Sequence, residues 1–270
     1  MSMIHVLSTL FFILILILLT DGYYVGKQEN KKDERSQSFN ILHCCTMSSS
    51  QELVLLDLRA SPFATRVRVA LAEKGLTFET KQEDLSNKTP LLLEMNPVHK
   101  QIPVLIHKGN PILESIIILE YIDETWSSEA GYANLLPSRP YDRSHARFWA
   151  DYVDKKIYPI GGKLWNKKDL TEEEKEAAMK ELLGSFKQLE EELGDKPYFG
   201  GQSFGFIDLS LIPFYSMFLA FKLLGNLDLE AECPKILEWA NRCCLRETVA
   251  KSMPTQQEVY DVVLDIIKRH

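Results

Sequence analysis

The stretch LVLLDLRASPFATRVRVALAEKG, from Leu53 to Gly75, leaves this chain few choices. It reads as a short apolar strand, a turn, and a helix opened by Ser61-Pro62 and closed by Gly75. A serine at the N-cap accepts a hydrogen bond from an orphan N–H, and proline's fixed φ suits a first turn that needs no donor. Glycine supplies the left-handed residue that ends such a helix. The spacing puts Phe63, Val67, Ala70 and Leu71 on one apolar stripe and assigns Arg66, Arg68, Glu73 and Lys74 to solvent.

Downstream of Gly75 the chain extends this strand and helix into a small mixed unit. Thr77 to Lys81 is a second strand candidate, and Pro90 to Met95 a short helix stopped by Asn96-Pro97. Ile102–His107 and Pro111–Leu113 read as a hairpin turned by Lys108-Gly109-Asn110. A helix is expected from Ser115 to about Trp126, with Ser115 as its cap. The order β-α-β-α-β-β-α over about 75 residues is a compact α/β unit. Ser127 to Pro140 has the composition of a linker. Beyond it the period is helical throughout: Tyr141 to Leu164, Thr171 to Leu193, Phe206 to Leu224, Lys235 to Arg246 and Gln256 to Lys268. In SFGFIDLSLIPF, Gly205 stands as N-cap with Asp208 returning to its N–H, a device for folding rather than catalysis.

A net charge of −7, with bases interspersed among acids, argues against nucleic-acid binding through a basic surface. The five cysteines include two adjacent pairs, Cys44-Cys45 and Cys243-Cys244, and none has metal-ligand spacing. That usage fits a reducing compartment, so a cytosolic protein is expected. Val6 to Leu19 is an uncharged apolar run of signal-peptide length, short for a membrane span, with no Lys or Arg from Met1 to Thr20. Met47 begins MSSSQELVLLD, which looks like a natural start. Residues 1–46 are therefore expected to be an extension outside the fold. A secretory signal and a membrane anchor are the other readings of that run.

Two readings of Ser61 stay open on spacing alone. It caps the helix, or it caps the helix and also donates its hydroxyl proton to an anion such as a thiolate at the positive end of the helix dipole. Taken singly, Lys88 reads as a solvated lysine, Ile102-Pro103 as an edge-strand proline, and His99 and His107 as surface or satisfied histidines.

Together, LLDLRASPFATRVRVALAEKG, SNKTPLLLEMNPVHKQIPVLIHKGNPILES, ILEYIDETW and RFWADYVDKKIY resemble a glutathione transferase of the plant tau class. The resemblance covers Glu52 to about Lys268. It implies a thioredoxin-like α/β domain over 51–128, an all-α domain over 135–268 that holds the electrophile, and a homodimer. It also implies conjugation of glutathione, as co-substrate, to hydrophobic electrophiles, with glutathione peroxidase activity as a companion and no metal or other cofactor. Residue by residue, Ser61 matches the family's catalytic serine and Lys88 the lysine that meets the glycine carboxylate. Ile102, before the family's cis-proline Pro103, matches the residue whose backbone pairs with the cysteinyl part. Glu114 and Ser115 match the pair that holds the γ-glutamyl end.

Two positions depart from the tau pattern. Gln101 stands where a second lysine is usual, and Leu58-Arg59 replaces an aromatic pair beside the electrophile pocket. Tyr152, Trp165, Phe221 and Leu224 are the other candidates for that pocket. A thiol transferase would need a cysteine where Ser61 stands. The alternative function is a non-catalytic carrier of apolar ligands on the same scaffold, a reading that Arg59 keeps alive.

Overall fold

The computed structural model of the chain describes residues 53–166 and 170–269. The apolar run from Val6 to Leu19 and the rest of residues 1–46 lie outside the described residues. The described residues belong to one unit, with a sheet-bearing lobe followed by a helical lobe.

In the first lobe, strand β1 (Leu53–Asp57) leads into helix α1 (Pro62–Glu73), then β2 (Glu79–Gln82), α2 (Pro90–Met95), β3 (Val104–His107), β4 (Asn110–Leu113) and α3 (Ser115–Thr125). The sheet runs β2-β1-β3-β4, with β1 parallel to β2 and antiparallel to β3, and β3 antiparallel to β4. Alternation along β1 sorts the core. Leu53 and Leu55 join Val67, Ala70 and Leu71 of α1 and Ile118, Leu119 and Ile122 of α3, whereas Val54 and Leu56 join Leu92 of α2. A central strand buried on both faces explains why LVLLD carries no polar residue before Asp57. The second strand begins two residues later than its sequence suggests. It is an exposed edge, so no buried face fixes its start.

Three of the four charged residues assigned to solvent on α1 are buried. Arg66 is fully enclosed, and Arg68 and Lys74 nearly so. The period of α1 marks the face toward the sheet, but a second lobe covers its other face, and each cation found there has acceptors waiting. Lys74 Nζ donates to Asp123 Oδ1 (2.8 Å) and to the carbonyls of Trp126 (2.7 Å) and Ala133 (2.6 Å). Asp123 in turn accepts from the N–H groups of Leu135 (2.7 Å) and Leu136 (3.0 Å). The connection between the lobes is thus fastened to α1 and α3, although its composition is that of a plain linker.

In the second lobe, α4 (Pro140–Lys156), α5 (Tyr158–Gly161) and α6 (Lys163–Asn166) replace the single helix expected from Tyr141 to Leu164. The break falls at Ile157, just before Pro159, whose missing N–H and ring bulk interrupt a helix. Helix α7 (Glu172–Leu193) starts on Thr171 with a reciprocal capping box to Glu174. The stretch from Phe206 is also divided, into α8 (Phe206–Leu211), a 3₁₀ segment at Ile212–Met217 carrying Pro213, and α9 (Phe218–Gly225). Short α10 (Leu229–Glu232), α11 (Pro234–Cys244), α12 (Glu247–Ser252) and the final α13 (Gln256–Arg269) complete the lobe. Helix α1 packs against α3 on its own side and against α8, the 3₁₀ segment and α12 on the other.

Candidate functional site

A cleft of about 510 Å³ opens between the lobes, at the end of the sheet where β1 passes into α1. Leu58, Ala60, Ser61, Ile102, Pro103, Glu114 and Ser115 line it from the first lobe. Asp154, Tyr158, Trp165 and Met217, with Val259, Val262, Val263 and Ile266 of α13, line it from the second.

Ser61 is the N-cap of α1. Its backbone is extended, and its Oγ accepts from the Ala64 N–H at 3.3 Å. The turn before it is closed by the Ser61 N–H donating to the Leu58 carbonyl at 2.8 Å. Capping uses an oxygen lone pair, so the hydroxyl proton stays free for a donor role. The two readings of Ser61 are therefore compatible, and the residue stands on the cleft wall at the positive end of a twelve-residue helix.

Ile102-Pro103 is a cis peptide. Glu114, not Ser115, occupies the N-cap position of α3, with φ 66 and no side-chain capping bond. A non-glycine residue in that region costs of order 1–3 kcal/mol, and such residues cluster at binding sites. Its side chain is exposed toward the cleft, with Oε1 4.0 Å from His99 Nε2. Ser115 is the first helical residue instead, and its Oγ accepts from Arg66 Nη1 at 3.0 Å.

Arg66 binds this end of the cleft to both lobes. Its Nε donates to the Ser210 carbonyl at 2.8 Å, and its Nη2 forms an ion pair with Asp154 Oδ1 at 2.6 Å. The guanidinium carbon sits 5.3 Å from the ring centroids of both Phe63 and Phe214. One buried cation therefore fixes Ser115 and Asp154, two polar residues of the cleft. The sequence carried a signal for it only as an arginine on a helix face that turned out to be covered.

The remaining candidates divide. Leu58 and Trp165 line the cleft, and so do Gln101 and His99. Lys88 is half-buried in the segment before α2, outside the lining. Arg59 turns away from the cleft and donates to the carbonyls of Ser252 and Met253. Tyr152 also faces elsewhere, donating to the Ser185 carbonyl at 3.5 Å and to Gln188. It lies two positions from Asp154, about 200° around α4. Phe221 is fully buried behind Trp165, with ring centroids 5.9 Å apart and planes at 19°, so it supports the wall without reaching it. Leu224 is half-buried and likewise outside the lining. Tyr158 and the α13 residues were missed, although Val259, Val262, Val263 and Ile266 form an i, i+3, i+4, i+7 stripe. Periodicity marks a buried face without telling a core from a cleft. Among the described residues no group of His, Cys, Asp and Glu is arranged to hold a metal ion.

A four-stranded mixed sheet followed by a helical lobe, with a helix-capping serine and a cis-proline on the shared cleft, defines the glutathione transferase fold. Two family models match the chain: "Glutathione S-transferase, N-terminal domain" over residues 51–124 and "Glutathione S-transferase, C-terminal domain" over residues 172–242. The chain is 58% identical over 215 residues to the probable glutathione S-transferase parC of Nicotiana tabacum, covering 80% of this chain and 95% of that one. Among solved structures it is similar to rice GST1 in complex with glutathione, with a TM-score of 0.77, 43% identity, and coverage of 83% of this chain and 99% of that one. It is also similar to the tau class glutathione S-transferase of mango, with a TM-score of 0.73, 36% identity, and coverage of 80% and 98%. The chain belongs to the glutathione S-transferase family, and within it to the plant tau class.

Proposed function

We propose that this chain conjugates reduced glutathione to hydrophobic electrophiles, with Ser61 as the residue that stabilises the glutathione thiolate. The observation that carries the reading is the pairing at Ser61 of a used acceptor and an unused donor on the cleft wall. A free cysteine-type thiol has a pKa of about 8.5, so most of it is protonated at neutral pH. Lowering that value by two units requires about 2.7 kcal/mol, within reach of one hydroxyl hydrogen bond plus a helix N-terminus. The thiolate then attacks an electrophilic carbon and displaces its leaving group, chloride in the case of a chlorinated nitrobenzene. In a companion peroxidase activity it attacks the hydroperoxide oxygen, the O–O bond breaks to release an alcohol, and a second glutathione reduces the resulting sulfenic acid to the disulfide and water. Ser61 itself is not proposed as the nucleophile, since among the described residues no His–Asp relay stands beside it.

Around the sulfur, the Glu114 carboxylate and the Arg66-held Ser115 and Asp154 suit the ammonium and carboxylate of a γ-glutamyl group. The Ile102 backbone is the partner proposed for the cysteinyl part, and Lys88, outside the lining itself, is the cation proposed for the glycine carboxylate. Leu58, Trp165, Tyr158 and the aliphatic face of α13 suit an apolar acceptor. The carrier alternative loses the residue that favoured it, because Arg59 is engaged outside the cleft. We further propose a cytosolic homodimer. Val98, Ile117, Tyr141 and Phe148 support that assembly as large apolar side chains left exposed on the described surface.

The test is conjugation of glutathione to a chlorinated nitrobenzene by the chain from Met47 and by its Ser61→Ala variant. Wild type is expected to be active, and the variant to lose about 100-fold at neutral pH and recover as pH rises toward the free thiol pKa. Equal rates in the two proteins would remove Ser61 from the mechanism.

A further inference from the structure

Arg59 sits between two cleft residues, Leu58 and Ala60, yet its side chain leaves the cleft for the far lobe. Nη1 donates to the Ser252 carbonyl at 3.1 Å and Nη2 to the Met253 carbonyl at 2.6 Å. Arg68 adds a third bond to the same place, Nε to the Ser252 carbonyl at 3.0 Å, and steadies Arg59 by donating from Nη2 to its carbonyl at 2.9 Å. The Arg59 N–H is held by Gln82 Oε1 at 3.1 Å, so the residue is braced at its backbone as well as at its tip.

The carbonyls that Arg59 grips lie at the junction of α12 and α13. Immediately after it, Thr255 and Glu258 cap each other, N–H to Oε2 at 2.6 Å and N–H to Oγ1 at 3.1 Å, and α13 begins. That helix then carries Val259, Val262, Val263 and Ile266 into the cleft. A guanidinium fork is suited to such a task, because two donors fixed in one plane define direction as well as distance.

We propose that Arg59 is a positioning residue that anchors the root of α13 to the serine turn, and so sets the width of the acceptor half of the cleft. The proposal rests on the reading that this cleft takes glutathione and a hydrophobic electrophile. Arg59 touches neither. It acts through α13, so its removal alters acceptor binding and leaves the glutathione half in place.

The experiment compares Arg59→Ala and Arg59→Lys with wild type, and with Arg246→Ala as a control. Arg246 pairs with Glu73 through Nε at 3.0 Å and Nη2 at 2.6 Å, a contact between the lobes that does not reach the α12–α13 junction. Amide hydrogen exchange is measured over residues 256–269 in the unliganded protein. KM is measured separately for glutathione and for a chlorinated nitrobenzene. For Arg59→Ala the expectation is about tenfold faster exchange across α13 and an acceptor KM raised about threefold or more, with the glutathione KM within about twofold. Arg59→Lys, which keeps the charge but not the planar fork, is expected between the two. Arg246→Ala is expected to lower the melting temperature without changing exchange in 256–269. Unchanged exchange in Arg59→Ala overturns the proposal. So does a glutathione KM that moves as much as the acceptor KM, or a control that loosens α13 equally. A wild type without conjugating activity would refute the functional reading, and the exchange measurement would still decide the role of Arg59.

Discussion

At Ser61 a single hydroxyl serves two partners, and the two uses separate by substitution. Ser61→Asp keeps an oxygen for the Ala64 N–H but has no proton to give and adds a negative charge beside the sulfur. It should hold its melting temperature near wild type and be inactive. Ser61→Ala should lose activity and also about 1 kcal/mol of stability from the missing cap. Calorimetry and the conjugation assay on both variants check this, and a stable, active Ser61→Asp would count against the donor role. Arg66 is the second residue whose chemistry exceeds its neighbourhood. Arg66→Met leaves Ser115 and Asp154 without their cation and should cost about 3 kcal/mol in urea unfolding. The glutathione KM should rise more than the acceptor KM, because the residues it holds belong to the polar end of the cleft.

Among the elements, α8 shows how a local motif acquires a tertiary role. Asp208 accepts from the Gly205 N–H at 2.9 Å, as the sequence pattern suggests, and also from the Phe199 N–H at 3.0 Å and Trp239 Nε1 at 2.7 Å. Burial pushes its carboxyl up to about 6, outweighing the four donors that pull it down, those three and its own backbone N–H. A raised folded-state pKa means that the native protein holds the proton more tightly than the unfolded chain. The resulting contribution to stability is therefore full below about pH 4 and lost as pH rises through 6, by about 3 kcal/mol in all. Wild-type stability measured relative to the non-titrating Asp208→Asn should fall by that amount between pH 4 and 7, and a flat difference would refute it. The sequence made the cap legible because its partners are three residues apart. Phe199 and Trp239 were not legible, since only the folded chain brings them close. The same contrast runs through the molecule. Proline-free α7 was readable from its period and β1 from its short unbroken apolar run, whereas Pro159 and Pro213 divided helices whose apolar pattern ran on without interruption. Ser61, Ile102, Glu114 and Ser115 were named as a set with Lys88 through resemblance, and those four, without Lys88, line one cleft. The buried arginines of α1 were not, because helix period cannot announce a second lobe.

For the whole molecule, Val98, Ile117, Tyr141 and Phe148 are among the large apolar side chains left exposed, and Phe148 is the one chosen to test the proposed homodimer. Phe148→Glu is expected to shift the chain from dimer to monomer in sedimentation velocity, and an unchanged sedimentation coefficient would exclude Phe148 from the interface. The two lobes themselves are joined by contacts of different kinds: the Arg66 ion pair at the cleft, the Arg59 fork at α13, and the Lys74 ammonium under the connecting segment. Lys74 lies in the first lobe and Asp123 at its end, while the carbonyl of Ala133 and the amides of Leu135 and Leu136 come from the crossing itself. Anyone grafting the helical half of one relative onto the sheet of another should therefore cut the gene after Leu136, where the recipient's own lysine still finds the main chain it was shaped to grip.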